Sequence, residues 1–81
     1  MLLENKVILV TGSTTGIGEA IARRCVADGA KVIIHGLEEE LAKEVAQSLG
    51  ASSHVVIADL ADPVNCELLV RSTLEHFGRL D

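Results

Sequence analysis

Apolar residues change their spacing several times along the chain, and each change marks an element. Val7 to Val10 is an unbroken, β-branched-rich run that stops at Thr11-Gly12, the pattern of a buried strand rather than an alternating half-exposed one. From Gly16 the period becomes helical. Ile17, Ala20, Ile21, Ala22, Cys25, Val26 and Ala27 recur at helical spacing, Glu19, Arg23, Arg24 and Asp28 lie elsewhere on the surface, and Gly29 stands at a C-cap position. Lys31 then introduces Val32, Ile33 and Ile34, a second strand closed by His35 and Gly36. Glu38 to Leu49 reads as a second helix, with Leu41, Val45 and Leu49 on every fourth position and a favourable Glu39–Lys43 pair. Its Glu38-Glu39-Glu40 run suits the positive helix end. Gly50 ends it, and His54 to Ala58 forms the third strand. Asp62 caps a last helix with Pro63 at its first position, along which Leu68, Leu69, Ser72, Leu74 and Phe77 keep one approximate face until Gly78.

Strict alternation of strand and helix, with connections of this length, predicts parallel pairing. Wound right-handedly, the strands lie in order 3-2-1. This is an α/β, three-layer βαβαβα unit, one mononucleotide-binding half of a doubly wound, Rossmann-like fold. The sheet is incomplete, because in the whole fold strand 1 is interior and a fourth strand pairs with its other side. An open apolar edge is an association hazard. Residues 1–81 are therefore expected to be the N-terminal part of one nucleotide-binding domain, with no second domain.

Composition narrows the choice. The 48% hydrophobic content comes from Val, Ile, Leu and Ala, with Phe77 the only aromatic residue, which fits covered parallel strands and fits an all-β sandwich poorly. A formal charge of -5 offers no basic surface to a nucleic-acid backbone or an anionic membrane, so neither is an expected partner. Any phosphate would have to be held by local geometry. Cys25 and Cys66 form no CxxC pair and fall in helical stretches, which predicts buried thiols rather than a disulfide; no metal-ligand spacing occurs, and no metal is expected. Glu4, Asn5 and Lys6 interrupt the apolar N-terminus, leaving no run long enough for a bilayer span or a signal segment, and the cytoplasm is the default compartment.

The segment TGSTTGIG, Thr11 to Gly18, lies at a strand-to-helix turn, where backbone N–H groups and the helix dipole face an approaching phosphate. Gly12 permits the tight turn, Gly16 removes a side chain where a pyrophosphate approaches, and Gly18 lets helix and strand pack closely. Thr14 and Thr15 complete the loop with Ser13. No Lys-Ser/Thr pair follows Gly16, which argues against a nucleoside-triphosphate P-loop. Asp59 stands just beyond the carboxyl end of strand 3, where ligands bind in such sheets, and its carboxylate suits an exocyclic amine; helix capping is its structural alternative, although Asp62 is better placed for that.

Together with Gly29-Ala30-Lys31-Val32, Asp59-Leu60 and Phe77-Gly78-Arg79-Leu80-Asp81, the TGSTTGIG loop resembles the opening of a short-chain dehydrogenase/reductase. The resemblance runs through the whole chain but covers only the opening of such a protein. It implies that Ser13, Ile17 and neighbouring backbone groups line a nicotinamide cofactor and that Thr11 braces the loop. It also implies that Asp59 bonds the adenine amino group and that Leu60 offers its N–H to the same ring. The family's NAD-dependent members usually carry Asp at the position of Gly36, and its NADP-dependent members often carry Arg at that of Leu37 or a cation at that of Thr15. Neither pattern is present at His35-Gly36-Leu37. The missing cations favour NAD over NADP, since a 2′-phosphate would lack charge-assisted partners. Glu38, about 20 residues beyond Gly18, could supply the ribose-binding acid or simply start the helix. His35 could touch the adenosine side, contact a phosphate when protonated, or just close its strand. His54 and His76, in unrelated elements, read as surface or packing residues.

By the same resemblance, the Ser, Tyr and Lys that handle the proton in hydride transfer, and the Asn that assists them, come after residue 81. The chain holds no tyrosine, so no catalytic residue is assigned within it and turnover by these residues alone is not expected. The implied function is cofactor binding for an NAD(P)-dependent oxidoreductase that interconverts a small alcohol and a carbonyl, in a parent that forms homo-oligomers. A non-enzymatic nucleotide-binding or interaction module, and a Rossmann-like transferase using another adenosine cofactor, are the rival readings.

Overall fold

The computed structural model describes residues 2–81. Its elements are β1 (Val7–Val10), α1 (Gly16–Ala27), β2 (Lys31–Gly36), α2 (Glu39–Leu49), a 3-10 turn (Gly50–Ser52), β3 (Ser53–Ile57) and α3 (Pro63–Phe77). The sheet order is β1-β2-β3, with β2 central and both pairings parallel. Leu9 stands opposite Ile33, and Ile34 opposite Val55. This is an α/β, Rossmann-like, three-layer arrangement with an open parallel sheet.

Three boundaries differ from the sequence pattern by one residue. β3 starts at Ser53 because the Ser53 hydroxyl anchors the 3-10 turn, donating to Ala46 O at 3.0 Å and Gly50 O at 2.9 Å. It stops at Ile57, and the carbonyl of Ala58 meets a side chain of β2 instead of a neighbouring strand. α2 begins at Glu39, with Glu38 extended in the N-cap position. α3 follows its pattern closely: Asp62 Oδ1 accepts from Val64 N–H at 3.0 Å, and Gly78, at φ 81°, donates its N–H to Leu74 O at 2.8 Å.

The main core joins Val10, Val32 and Ile34 of the sheet to Ala22 of α1 and Ala42 and Val45 of α2. Ala22 and Ala42 are fully buried, and their small side chains let both helices lie close to the strands. Ile33 points the other way by strand alternation and is also fully buried, so β2 is covered on both faces. On α3 the buried residues are Leu69 and Thr73, whereas Leu68 and Leu74, expected to face inward, are 47% and 46% exposed. The inward row is Leu69–Thr73–Phe77, one residue every turn, and Thr73 is admitted because its hydroxyl donates to Leu69 O at 2.9 Å. The same rotation leaves Cys66 exposed, and Cys25 of α1 is half-buried, so the two free thiols are not the buried pair expected. At the outer edge of β1, Asp81 N–H donates to Val7 O and Val7 N–H donates to Asp81 Oδ2, both at 2.9 Å.

Candidate functional site

The carboxyl ends of the strands gather the loop, the end of β2 and the exit of β3. Gly12 and Gly16 have φ of +61° and +59°, a left-handed backbone that disfavours any side chain, and a Cβ on either would meet no atom within 4 Å. The space above both is open, as close approach of a ligand to the backbone requires. Gly18 differs: a Cβ there would lie 2.1 Å from Gly12 O, so the first turn of α1 rests directly on the Gly12 carbonyl. Thr15, the N-cap residue of α1, is extended and makes no side-chain cap bond. Glu19 N–H reaches Thr15 O at 3.3 Å, and the N–H groups ahead of it have no intrahelical acceptor.

Ser13 is fully buried rather than exposed at the site surface. Its N–H donates to His35 O at 2.8 Å, and its hydroxyl accepts from His35 N–H at 2.9 Å. Bracing of the loop thus falls to Ser13 and His35, while Thr11 is exposed. The His35 ring is buried and doubly engaged: Gly12 N–H donates to Nδ1 at 3.1 Å, and Nε2 lies 2.8 Å from Ala58 O. Sequence reasoning missed this side-chain link. The only hint was a polar, ring-bearing residue at the end of an otherwise apolar strand.

At the β2 exit, a Cβ on Gly36 would lie 2.6 Å from Thr14 Cγ2, so Thr14 fills the volume an acidic side chain would need there. Leu37 and Ile17 are exposed, at 67% and 80%, on either side of this corner in sequence. Asp59 is exposed, and its Oδ1 accepts from Ala61 N–H at 2.9 Å; its carbonyl receives Asn65 Nδ2 at 3.1 Å, and Leu60 O receives the Cys66 thiol at 3.5 Å. Helix capping belongs to Asp62, which leaves the other Asp59 oxygen outside the cap. Gly12 and Ser13 therefore meet both Gly18 and His35, Thr14 meets Gly36, and His35 joins the loop to the segment that carries Asp59.

Other sequence expectations resolve away from this corner. His54 and His76 come from separate elements but their rings stack at 3.8 Å and 11°, with Phe77 edge-on to His76. Burial, then the neighbouring His76, lowers the His54 pKa below its ordinary value. The hydrogen bond that Lys43 donates to Glu39 raises its pKa, and the Arg79 guanidinium beside Asp81 lowers that of the Asp81 carboxyl. An open groove lined by Cys66, Glu67, Val70, Arg71 and Leu74 lies along α3 alone and shares no residue with the loop. Among the described residues no group of three or more His, Cys, Asp or Glu could hold a metal, and no helix is long and apolar enough to cross a membrane.

Comparison with known proteins identifies the arrangement. Residues 6–81 match the family model of the short chain dehydrogenases. The chain is 40% identical over 81 residues to a 3-oxoacyl-acyl-carrier-protein reductase of Salmonella typhimurium, covering all of this chain and 33% of that protein. It is 42% identical over 89 residues to an L-rhamnose 1-dehydrogenase (NAD(P)(+)) of Azotobacter vinelandii, covering all of this chain and 34% of the relative. The crystal structure of a 3-ketoacyl-(acyl-carrier-protein) reductase from Brucella melitensis complexed with NADH superposes with a TM-score of 0.94 at 37% identity, over 98% of this chain and 32% of that one. The chain spans about a third of the length of these relatives. With the family model, the glycine turn and the parallel sheet in agreement, the chain belongs to the short-chain dehydrogenase/reductase family.

Proposed function

We propose that these residues form the N-terminal cofactor-binding segment of an NAD(P)-dependent oxidoreductase that interconverts a small alcohol and a carbonyl by hydride transfer. The observation that carries this reading is the uncapped start of α1 behind Gly12 and Gly16, with open space over both glycines. The loop N–H groups hold the pyrophosphate, with Thr14, Thr15, Gly16 and Ile17 closest to it and Gly12, Ser13 and Gly18 fixing its floor. His35, Gly36 and Leu37 form the adenosine ribose corner, and Asp59 and Leu60 meet the adenine. When bound, the nicotinamide supplies or accepts the hydride; this segment's part is to bind and orient it.

In this reading the β1-β2-β3 sheet is half of a doubly wound sheet, and the edge of β1 that Asp81 meets is where a fourth strand pairs. The acid–base residues of the reaction come from sequence beyond that strand, so residues 1–81 are one part of a single domain and bind without turning over. The active protein is a cytoplasmic homo-oligomer. NAD is the favoured cofactor, because Thr15 and Leu37 offer no cation to a 2′-phosphate. Thr14 leaves no room at Gly36 for the acid that usually selects NAD, so the preference is expected to be modest. Titration of the full-length protein with NADH and NADPH, followed by nicotinamide fluorescence, tests the reading. Tighter binding of NADPH overturns the preference, and binding of neither overturns the function.

A further inference from the structure

We propose that His35 is a positioning residue for the dinucleotide loop, acting only as the neutral imidazole with its proton on Nε2. The inference rests on the cofactor-binding reading above, and its observations are independent of that reading. Ala58 O can only accept, so the ring nitrogen 2.8 Å from it must carry the hydrogen. Gly12 N–H can only donate, so Nδ1, 3.1 Å away, must present its lone pair. The two partners fix one tautomer between them. A protonated ring carries a hydrogen on both nitrogens, and its Nδ1–H would then oppose the Gly12 N–H.

The consequence reaches the ligand through backbone alone. Gly12 is held on one side by the His35 ring and on the other by Gly18, whose Cα leaves room for nothing between it and Gly12 O. The Gly12 peptide therefore sets where the first turn of α1 sits. Through Ala58, the same ring fixes the exit of β3 one residue before Asp59. One imidazole thus holds the phosphate loop and the Asp59 segment at a constant separation, as a rigid dinucleotide with an adenine at one end demands.

The groups that face His35 are uncharged. They are Gly12 and Ser13 from the loop and Ala58 after β3, with Asn65 and Cys66 of α3 bonded to Asp59 O and Leu60 O at the same exit. Glu38 follows β2 as the N-cap of α2 without a side-chain cap bond, and Asp59 turns Oδ1 onto Ala61 N–H. No carboxylate is bonded to the ring among the described residues.

NADH binding to the full-length protein is measured by fluorescence for wild type and for two variants of the ring. His35→Asn and His35→Gln split the ring's two bonds. The Asn carbonyl replaces the Nδ1 acceptor for Gly12, and the Gln amide N–H replaces the Nε2 donor to Ala58. H35N keeps the Gly12 contact and is expected to bind within about threefold of wild type. H35Q is expected to bind about fivefold or more weakly, the value of one hydrogen bond. The 15N shifts of His35 in the wild-type protein provide a measurement independent of any variant's folding. An Nε2–H tautomer at neutral pH supports the inference, and an Nδ1–H tautomer or a charged ring overturns it. Equal binding by H35N and H35Q also overturns it. Wild type binding neither NADH nor NADPH at any pH defeats the functional reading instead, whereas the tautomer measurement still judges His35.

Discussion

Replacing Gly18 with alanine distinguishes a glycine that merely tolerates its helix from one the packing requires. In an unobstructed helix the change stabilises by about 1 kcal/mol, because alanine loses less backbone freedom on folding. At Gly18 the new Cβ would lie 2.1 Å from Gly12 O, 2.9 Å from Gly12 C and 3.1 Å from Ser13 Cα. All of these are backbone atoms, so no rotamer change relieves the overlap. Either α1 or the Gly12 turn must retreat until the carbonyl stands at an ordinary contact distance of 3.4 Å or more. Overpacking of this kind costs about 1–3 kcal/mol, and the helix-propensity gain offsets part of it, leaving a net loss on the order of 1–2 kcal/mol. The same retreat spreads the loop N–H groups. A loss of about 1.4 kcal/mol in binding is tenfold, so NADH affinity should fall by at least that much. Urea unfolding followed by circular dichroism gives the stability, and fluorescence titration gives the affinity. A G18A protein with an equal or higher urea midpoint and unchanged affinity would refute the close seating of α1 on Gly12.

Gly36→Ala meets a side chain, Thr14 Cγ2 at 2.6 Å, and not backbone. Its cost should therefore be recovered by adding Thr14→Ser, and a thermal-melt cycle that shows no coupling between the two positions contradicts the contact. Asp62→Ala removes the only side-chain helix cap among the described residues and should cost about 1 kcal/mol in urea unfolding, with NADH affinity unchanged. The His54 pKa is lowered, so the fold prefers the neutral ring. As pH falls through the ordinary histidine value of 6.5 the unfolded chain takes the proton first and stability drops. His54→Gln should flatten that part of the Tm–pH curve relative to wild type. Asp81 has the opposite sign. Its pKa lies below the ordinary 3.8, so its contribution is whole above that value and is lost as pH falls further, a loss that Asp81→Asn should abolish in acid titration.

How much of this was legible in the sequence depended on whether one chain segment sufficed to decide it. Strand and helix identities followed from local period, and the Asp62-Pro63 start and the Gly78 stop of α3 follow directly from cap chemistry. The inward face of α3 did not. Leu68 and Leu74 look as apolar as Leu69, and only docking against β3 selects the row through Thr73, a residue whose hydroxyl is satisfied by its own helix. Gly12 and Gly16 both adopt positive φ, while Gly18 packs on the Gly12 carbonyl more than on the strand at large. Contacts between distant segments were invisible: the His54–His76 stack, the Thr14–Gly36 contact and the His35 ring between Gly12 and Ala58 each join residues that no spacing rule connects.

An acidic chain that binds an anionic cofactor must create positive potential without net charge. None of its 7 basic residues falls within Thr11–Gly18, Gly36–Glu38 or Ala58–Asp62. The site therefore depends on oriented N–H groups at the start of α1, a short-range source that a nearby carboxylate readily cancels. Glu19, in the first turn of α1, is such a carboxylate. Arg23 Nε stands 2.8 Å from Glu19 Oε2, and Arg23 Nη1 donates to Ser48 Oγ of α2 at 2.8 Å, which fixes the guanidinium against the carboxylate. As a surface pair it adds little to stability. Its consequence is electrostatic: with Glu19 neutralised from the side away from the loop, the partial positive charge of the helix start is left to the phosphate. The acidic first turn and the anion-binding loop are compatible because Arg23, tied to Ser48 of α2, pairs with Glu19.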